Sequence, residues 1–268
     1  MNTEIIKKNR EAWNEALKYH QKARNNSLQI GFKDPNFTTF NRNRDDILLK
    51  KLNEINLKDK IIAQLPCNNG RELLSLIKLG AKKGIGFDIS DVAISEAKEL
   101  AEISNLNVEF YCENILDIDD SHNNIIDFIY ISEGSLQWFS TLNEYFRIIS
   151  KLLKQNGKII IFEMHPFAYF FEQINDPNKE ITLDDFISYF DKGPYSYKNG
   201  LDYIGQTNYE AKECYWYMHK FSDIINAIIY NGLEINCIEE YNIEMADNEI
   251  TKRMDKFPLG YIMNCKKK

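Results

Sequence analysis

Apolar and polar residues recur along this chain with two periods, near 3.6 and near 2, and the periods alternate. Over residues 4–26, Ile5, Trp13, Leu17 and Tyr19 stand among charges at helical spacing, which predicts an amphipathic helix. A loop carrying Gly31 and Pro35 follows, then a second helix near residues 45–55. Short apolar runs near 60–65, 84–88, 108–112, 126–132 and 158–163 read as strands. Helical patterns near 71–79, 91–104 and 142–153 separate them. Val92, Ala97, Leu100 and Ala101 share one helix face, as do Tyr145, Ile149 and Leu152, and Asn156-Gly157 supplies a helix stop. Short apolar strands alternating with helices predict an α/β fold, a parallel sheet covered on both faces.

The pattern changes at Pro166. Residues 166–221 are rich in aromatics and acids and too long for a simple strand–helix link. A helix over 222–230 then stops at Asn231-Gly232, and strands near 233–240 and 259–265 close the chain. The expected organisation is a helical cap (1–56), a sheet core (57–165), an aromatic lid (166–221) and a closing helix and strand pair (222–268).

Composition narrows the function. The 268 residues are 44% hydrophobic, enough for one sizeable core, and the net charge is −7. An acidic chain with a pI near 5.3 does not read as a nucleic-acid binder. The odd number of cysteines, none spaced C-x-x-C, argues against a disulfide framework or a zinc site, so no metal is expected. The first ten residues lack an apolar signal core, and no apolar run approaches the roughly 20 residues that cross a bilayer. The expectation is a soluble cytoplasmic protein with no membrane partner, a monomer or homodimer.

The turn after the first core strand carries the candidate chemistry. Lys60 to Gly70 reads K-I-I-A-Q-L-P-C-N-N-G, a buried strand running into a polar turn, and the next strand ends on Asp88. An acid at that strand tip can accept hydrogen bonds from both hydroxyls of a ribose. A dinucleotide turn needs glycines, so that backbone N–H groups can close on a pyrophosphate. Here Pro66 has no N–H to offer, Asn68 stands at the second glycine position, and only Gly70 remains. That counts against NAD or FAD. A nucleoside cofactor without phosphate, such as S-adenosylmethionine (SAM), loses much less.

Residues 58–167 resemble the core of the class I SAM-dependent methyltransferases. Ala63 to Gly70, A-Q-L-P-C-N-N-G, matches in register a family motif resembling L-D-L-G-C-G-T-G. The family acid falls on Asp88, the residue facing adenine on Asn114 in Y-C-E-N-I, and the motif after strand four on Asp127 to Gly134, with Trp138 close behind. Gln64, Pro66 and Asn68 depart from the usual Asp, Gly and Gly. The resemblance implies a Rossmann-like, mostly parallel seven-stranded sheet ending in a hairpin whose last strand is antiparallel. It also implies a SAM site formed by Pro66, Cys67, Asn68, Asn69, Gly70, Asp88, Ile89, Asn114, Ile115 and Ser132. In many relatives an N-terminal helix folds over the cofactor, which brings Tyr19 or Arg24 to its methionine part.

Other side chains carry two readings each. His165 follows the fifth strand in F-E-M-H-P-F, so its ring is expected at the cleft as general base or substrate orienter, or else bonded to a neighbouring loop. His20 ends the first helix, and His219 is expected on a lid strand sharing a face with Tyr215 and Tyr217. With Trp138, Tyr203 and Tyr209 these are the expected substrate contacts, although core packing must account for most lid aromatics. Cys67 has no base beside it and reads as loop lining. The expected activity is methyl transfer from SAM to a small-molecule N, O or S acceptor. The rival is a non-catalytic SAM or nucleoside sensor, favoured by the departures in the turn.

Overall fold

The fold was analysed in a computed structural model that describes residues 3–40, 42–171, 180, 182–242 and 256–268. Its centre is a seven-stranded sheet in the order β3-β2-β1-β4-β5-β9-β8. The strands are β1 (Ile61–Gln64), β2 (Lys83–Asp88), β3 (Val108–Cys112), β4 (Ile126–Ile131), β5 (Leu153–Met164), β8 (Leu233–Tyr241) and β9 (Gly260–Lys267). The first five pair in parallel, whereas β9 runs antiparallel to both β5 and β8. The chain runs outward from β1 through β2 to β3, then returns to place β4 on the other side of β1. In sheets of this kind ligands bind beyond the carboxyl ends of the strands, where that reversal opens a crevice. Here that crevice lies between β1 and β4.

The strands are buried on both faces, and successive residues serve opposite cores. Ile62, Phe128, Ile160 and Phe162 pack with Leu73, Leu76 and Leu100 of helices α4 (Arg71–Lys78) and α5 (Asp91–Ser104). Ala63, Ile129, Ile159 and Ile161 pack with Tyr145, Phe146 and Ile228 of helices α6 (Leu142–Leu152) and α7 (Phe221–Tyr230). Gly84 and Gly86 keep β2 flat beneath its neighbours: a Cβ on Gly86 would stand 2.6 Å from the Phe110 ring.

Three helices precede the sheet: α1 (Thr3–Arg24), α2 (Ser27–Phe32) and α3 (Arg42–Ile55). The sequence pattern assigned 27–32 to a loop because Gly31 reads as a breaker. Instead Asn25 and Asn26, both with positive φ, break the chain, and the buried pair Leu28 and Phe32 draws the next turn into the core. Gly31 has a packing role, since a Cβ there would lie 2.6 Å from the Phe37 ring.

Between β5 and α7 the chain forms a small hairpin of β6 (Tyr195–Tyr197) and β7 (Cys214–Trp216). Trp216 stacks between Tyr169 and Tyr195, with centroids 5.5 and 4.7 Å away, and these aromatics continue the core that packs on α4 and α5. The lid strand expected to reach His219 stops at Trp216. The Tyr217 N–H leaves the hairpin and donates to the Gln137 carbonyl, tying the insert to the loop after β4.

Candidate functional site

The turn after β1 is held by the tip of β2. Asp88 Oδ2 accepts from the Asn68 N–H at 2.8 Å, and Oδ1 from the Ser90 N–H at 2.9 Å. The Cys67 N–H donates to the Phe87 carbonyl at 2.9 Å. Asn68 has φ +49°, a left-handed conformation that Asn tolerates, and Gly70 has φ +71°. A Cβ on Gly70 would lie 2.4 Å from Phe110, so close packing as well as backbone freedom requires glycine there. The Leu65–Pro66 bond is cis. Asp88 thus pins the turn through its own hydrogen bonds. Three backbone N–H donors still leave the carboxylate acceptor capacity for a ligand hydroxyl. Burial pushes its pKa up to about 6, against the pull of the backbone N–H donors at Ser90, Asn68 and Ile89. Burial also drives the Cys67 thiol well above its ordinary value, so Cys67 lines the turn as an inert group.

Beside this turn stand buried polar atoms without partners. Gln64, at the end of β1, donates through Nε2 to Glu72 Oε2 at 2.7 Å and to Ser132 Oγ at 3.0 Å. Its Oε1 is buried and unpartnered, as are both Oδ1 and Nδ2 of Asn69. Gln64 and Asn69 are each only 1% exposed. Buried polar groups are almost always satisfied, so these three atoms at one crevice are free to meet a polar ligand or ordered water. A nucleoside bearing an amino-acid tail fits this donor and acceptor set. Ser132 stands beside the crevice through its bond to Gln64.

Asn114 follows β3 but spends its side chain locally: Oδ1 accepts from the Leu116 N–H at 3.3 Å, and Nδ2 donates to Asp117 Oδ2 at 2.8 Å. Ile115 is buried in the sheet core rather than open to the crevice. Ile89 and Asn114 line a cavity of about 480 Å3 next to the Asp88 tip.

The loop after β4 forms the opposite wall. Glu163, near the end of β5, accepts from the N–H groups of Gly134, Ser135, Leu136 and Met164, which fixes the 134–136 turn. Burial raises its pKa to about 7 despite those four donors. Trp138 then meets Trp13 of α1 edge to face, 5.5 Å between centroids.

Helix α1 lies over the crevice and is bonded on two sides. Toward the core, Asn14 bonds Asp91 Oδ1 and Ser90 Oγ at 2.7 and 2.6 Å, and Arg24 Nη1 sits 3.5 Å from Glu96 Oε1. Arg24 Nη2 is buried and unpartnered. Toward the insert, the Asn9 amide exchanges two hydrogen bonds with the Tyr215 backbone, at 2.7 and 2.8 Å. Tyr19 stacks on Tyr209 with centroids 4.2 Å apart. His20 Nε2 donates to the Leu201 carbonyl at 3.0 Å, its ring meets Tyr203 edge to face, and Asp202 Oδ1 lies 3.5 Å away. Burial, then the charge of Arg24, lowers the His20 pKa to about 4. Tyr19, His20, Tyr203 and Tyr209, expected at cofactor and substrate, thus come together as the clasp between α1 and the insert.

His165 takes the second of its two readings, bonded to a neighbouring loop, and His219 departs from its expected strand. The His165 ring does not face the crevice: Nδ1 accepts from the Phe167 N–H at 3.2 Å, and Nε2 lies 3.0 Å from Glu240 Oε1. Side chains alternate along β5, so residue 165 follows Ile161 and Glu163 onto the α7 face, where Phe221 and Tyr261 flank the ring. With both nitrogens engaged and its pKa lowered to about 4 by burial, His165 is no open base. His219 is not on a strand. Its Nε2 donates to the Phe139 carbonyl at 2.9 Å, and it lines a cavity of only about 10 Å3 beside Glu163 and Tyr217.

Sequence reasoning missed Asn9, Trp13, Glu72 and Glu163. Glu163 alone carried a signal, an acid inside the apolar strand K-I-I-I-F-E-M.

Comparisons with known proteins agree with the fold. Residues 56–220 match the family model described as a methyltransferase domain. An uncharacterised protein of Methanocaldococcus jannaschii is 39% identical over 82 residues, covering 30% of this chain and 36% of that protein. A tRNA U34 carboxymethyltransferase of Helicobacter hepaticus is 29% identical over 134 residues, covering 48% of this chain and 39% of the relative. The chain thus spans well under half the length of these two relatives. Among solved structures, a putative SAM-dependent methyltransferase from Listeria monocytogenes superposes with a TM-score of 0.62 at 18% identity, over 82% of this chain and 97% of that one. At that identity the likeness shows the fold.

Proposed function

This chain belongs to the SAM-dependent methyltransferase family, and from that premise we propose that it methylates a small-molecule N, O or S nucleophile in the crevice between β1 and β4. The observation that carries this reading is the set of unpartnered buried atoms on Gln64 and Asn69 at that crevice. SAM held there would supply a methyl group already activated on its sulfonium, for transfer to the lone pair of the acceptor. Asp88 and the 66–70 turn hold the nucleoside, and Gln64, Asn69 and Arg24 offer polar contacts to the amino-acid tail. Glu163 holds the loop that forms the acceptor wall. The leaving group is already activated by its charge, so orientation and exclusion of water are the protein's main contributions.

A small acceptor is favoured by the roof. Helix α1 and residues 201–217 cover the crevice through bonds on both sides, leaving little room for a folded RNA or protein substrate, and the chain is acidic. No histidine base is assigned. An acceptor that reaches the crevice as a neutral amine or a thiolate needs none.

Incubation with methyl-labelled SAM and a cell extract separated into small molecules, RNA and protein tests this. Label in the small-molecule fraction supports the reading, and label in RNA or protein overturns the acceptor class. Binding of S-adenosylhomocysteine without transfer to any fraction identifies a non-catalytic binder.

A further inference from the structure

The cavity of about 480 Å3 has an outer wall that neither the β1 turn nor the strand tips provide. That wall is one face of α1: Thr3, Ile6 and Arg10 all line the cavity, and steps of three and four residues place them on the same side of the helix. Opposite them stand Ile89, the residue after Asp88, and Leu116. The volume falls in the range of small-ligand pockets, about 300–1,000 Å3. Its position follows from covalent order. Ile89 directly follows Asp88, so this space lies within reach of the base of a nucleoside whose ribose Asp88 holds.

The lining suits a flat heteroaromatic group. Ile6, Ile89 and Leu116 offer apolar surface for its faces within a lining that also carries Asn114, Asp117 and the charged side chains of Arg10, Glu113, Glu144 and Arg147. Asn114 has both side-chain polar atoms engaged with Leu116 and Asp117, so its side chain orders this part of the lining and the Asp117 carboxylate presents acceptors there. Acceptors there favour a base with an exocyclic amine.

The rest of α1 is fastened down. From Asn9 onward it is anchored at Tyr215, Trp138, Ser90, Leu201 and Glu96. These anchors hold Ile6 over the cavity.

We propose that Ile6 packs on the outer face of the bound nucleobase, opposite Ile89, making the first turns of α1 a wall of the cofactor site. This inference rests on the SAM reading above. It adds a base-contacting residue outside the strand-tip loops and couples cofactor binding to the packing of α1.

Calorimetric titration with S-adenosylhomocysteine and with 5′-methylthioadenosine, which shares the nucleoside but lacks the amino-acid tail, tests it. Ile6→Asp is expected to weaken both ligands by the same factor, roughly tenfold, the loss from removing an apolar contact of one side chain. Ile6→Leu and Lys7→Ala, the latter on the exposed side of α1, are expected to bind as wild type. Should Ile6→Asp reduce helicity by circular dichroism, Ile6→Ala reads the same contact on a better helix former, with a roughly fivefold loss of both ligands. Unchanged affinities in the folded Ile6 variants, or a loss confined to S-adenosylhomocysteine, would overturn the inference alone. A wild-type chain that binds neither ligand overturns the cofactor reading and this inference with it.

Discussion

Trp13 of α1 meets Trp138 of the post-β4 loop edge to face, with centroids 5.5 Å apart and planes at 74°. This contact joins the roof of the crevice to the wall that Glu163 fixes from below. Edge-to-face aromatic pairs contribute about 0.5–1.5 kcal/mol beyond their burial. Trp138→Ala is therefore expected to speed release of S-adenosylhomocysteine and to expose α1 to limited proteolysis, with the sheet still folding. Stopped-flow displacement and protease digestion read the two effects.

The second join is the Asn9 amide on the Tyr215 backbone. Asn9→Ala leaves the Tyr215 N–H and carbonyl without those partners in a half-buried position, a cost of about 1–3 kcal/mol. Hydrogen exchange at Tyr215 should accelerate, while amides in β1 and β4 keep their protection.

Asp88 gives a pH signature. Its folded pKa of about 6 lies above the ordinary carboxylate value, so between about pH 4 and 6 the folded chain holds a proton that the unfolded chain has released. The stability linked to this group is fully present below about pH 4 and is lost as pH rises through 6. Ribose recognition has the opposite sense, because the ionised carboxylate is the acceptor. S-Adenosylhomocysteine affinity is expected to rise from pH 5 to 7 with a midpoint near 6, and the step should vanish in Asp88→Asn. A step that persists in Asp88→Asn would belong to another group, with Glu163, raised to about 7, the first to examine.

His165 is expected to behave as a core residue. Its ring packs against Phe167, Phe221 and Tyr261 and bonds both ways, so His165→Ala should cost about 2–5 kcal/mol of stability by denaturant unfolding, the usual range for a large buried side chain. Under conditions where the variant remains folded, its affinity for S-adenosylhomocysteine should match wild type.

The sheet was legible because its strands are short, apolar and punctuated: β1 to β5, α4 to α6 and the closing pair fall within a few residues of their periodic patterns. The turn and Asp88 were legible because backbone conformation restricts which residues can stand at 66–70. What the pattern did not carry is direction and pairing. His165 follows a core strand, yet which face it takes depends on the alternation set by Ile159 and Ile161. Tyr203 and Tyr209 are the polar aromatics expected of a substrate wall with His20, but they pack on His20 and Tyr19 of α1 instead, contacts between segments about 180 residues apart. Asn9 resembles any polar residue of an exposed helix until Tyr215 is placed against it.

The central claim is that the β1–β4 crevice is a SAM site and that Asn69 is one of its polar contacts. Calorimetry of the wild-type chain and Asn69→Ala with S-adenosylhomocysteine and with NAD tests it most directly. The account predicts one S-adenosylhomocysteine site on the wild type, NAD binding at least tenfold weaker, and a roughly tenfold loss of S-adenosylhomocysteine affinity in Asn69→Ala, as for a hydrogen bond to a charged group. NAD binding as tightly as S-adenosylhomocysteine, or an Asn69→Ala variant that binds like wild type, would contradict it.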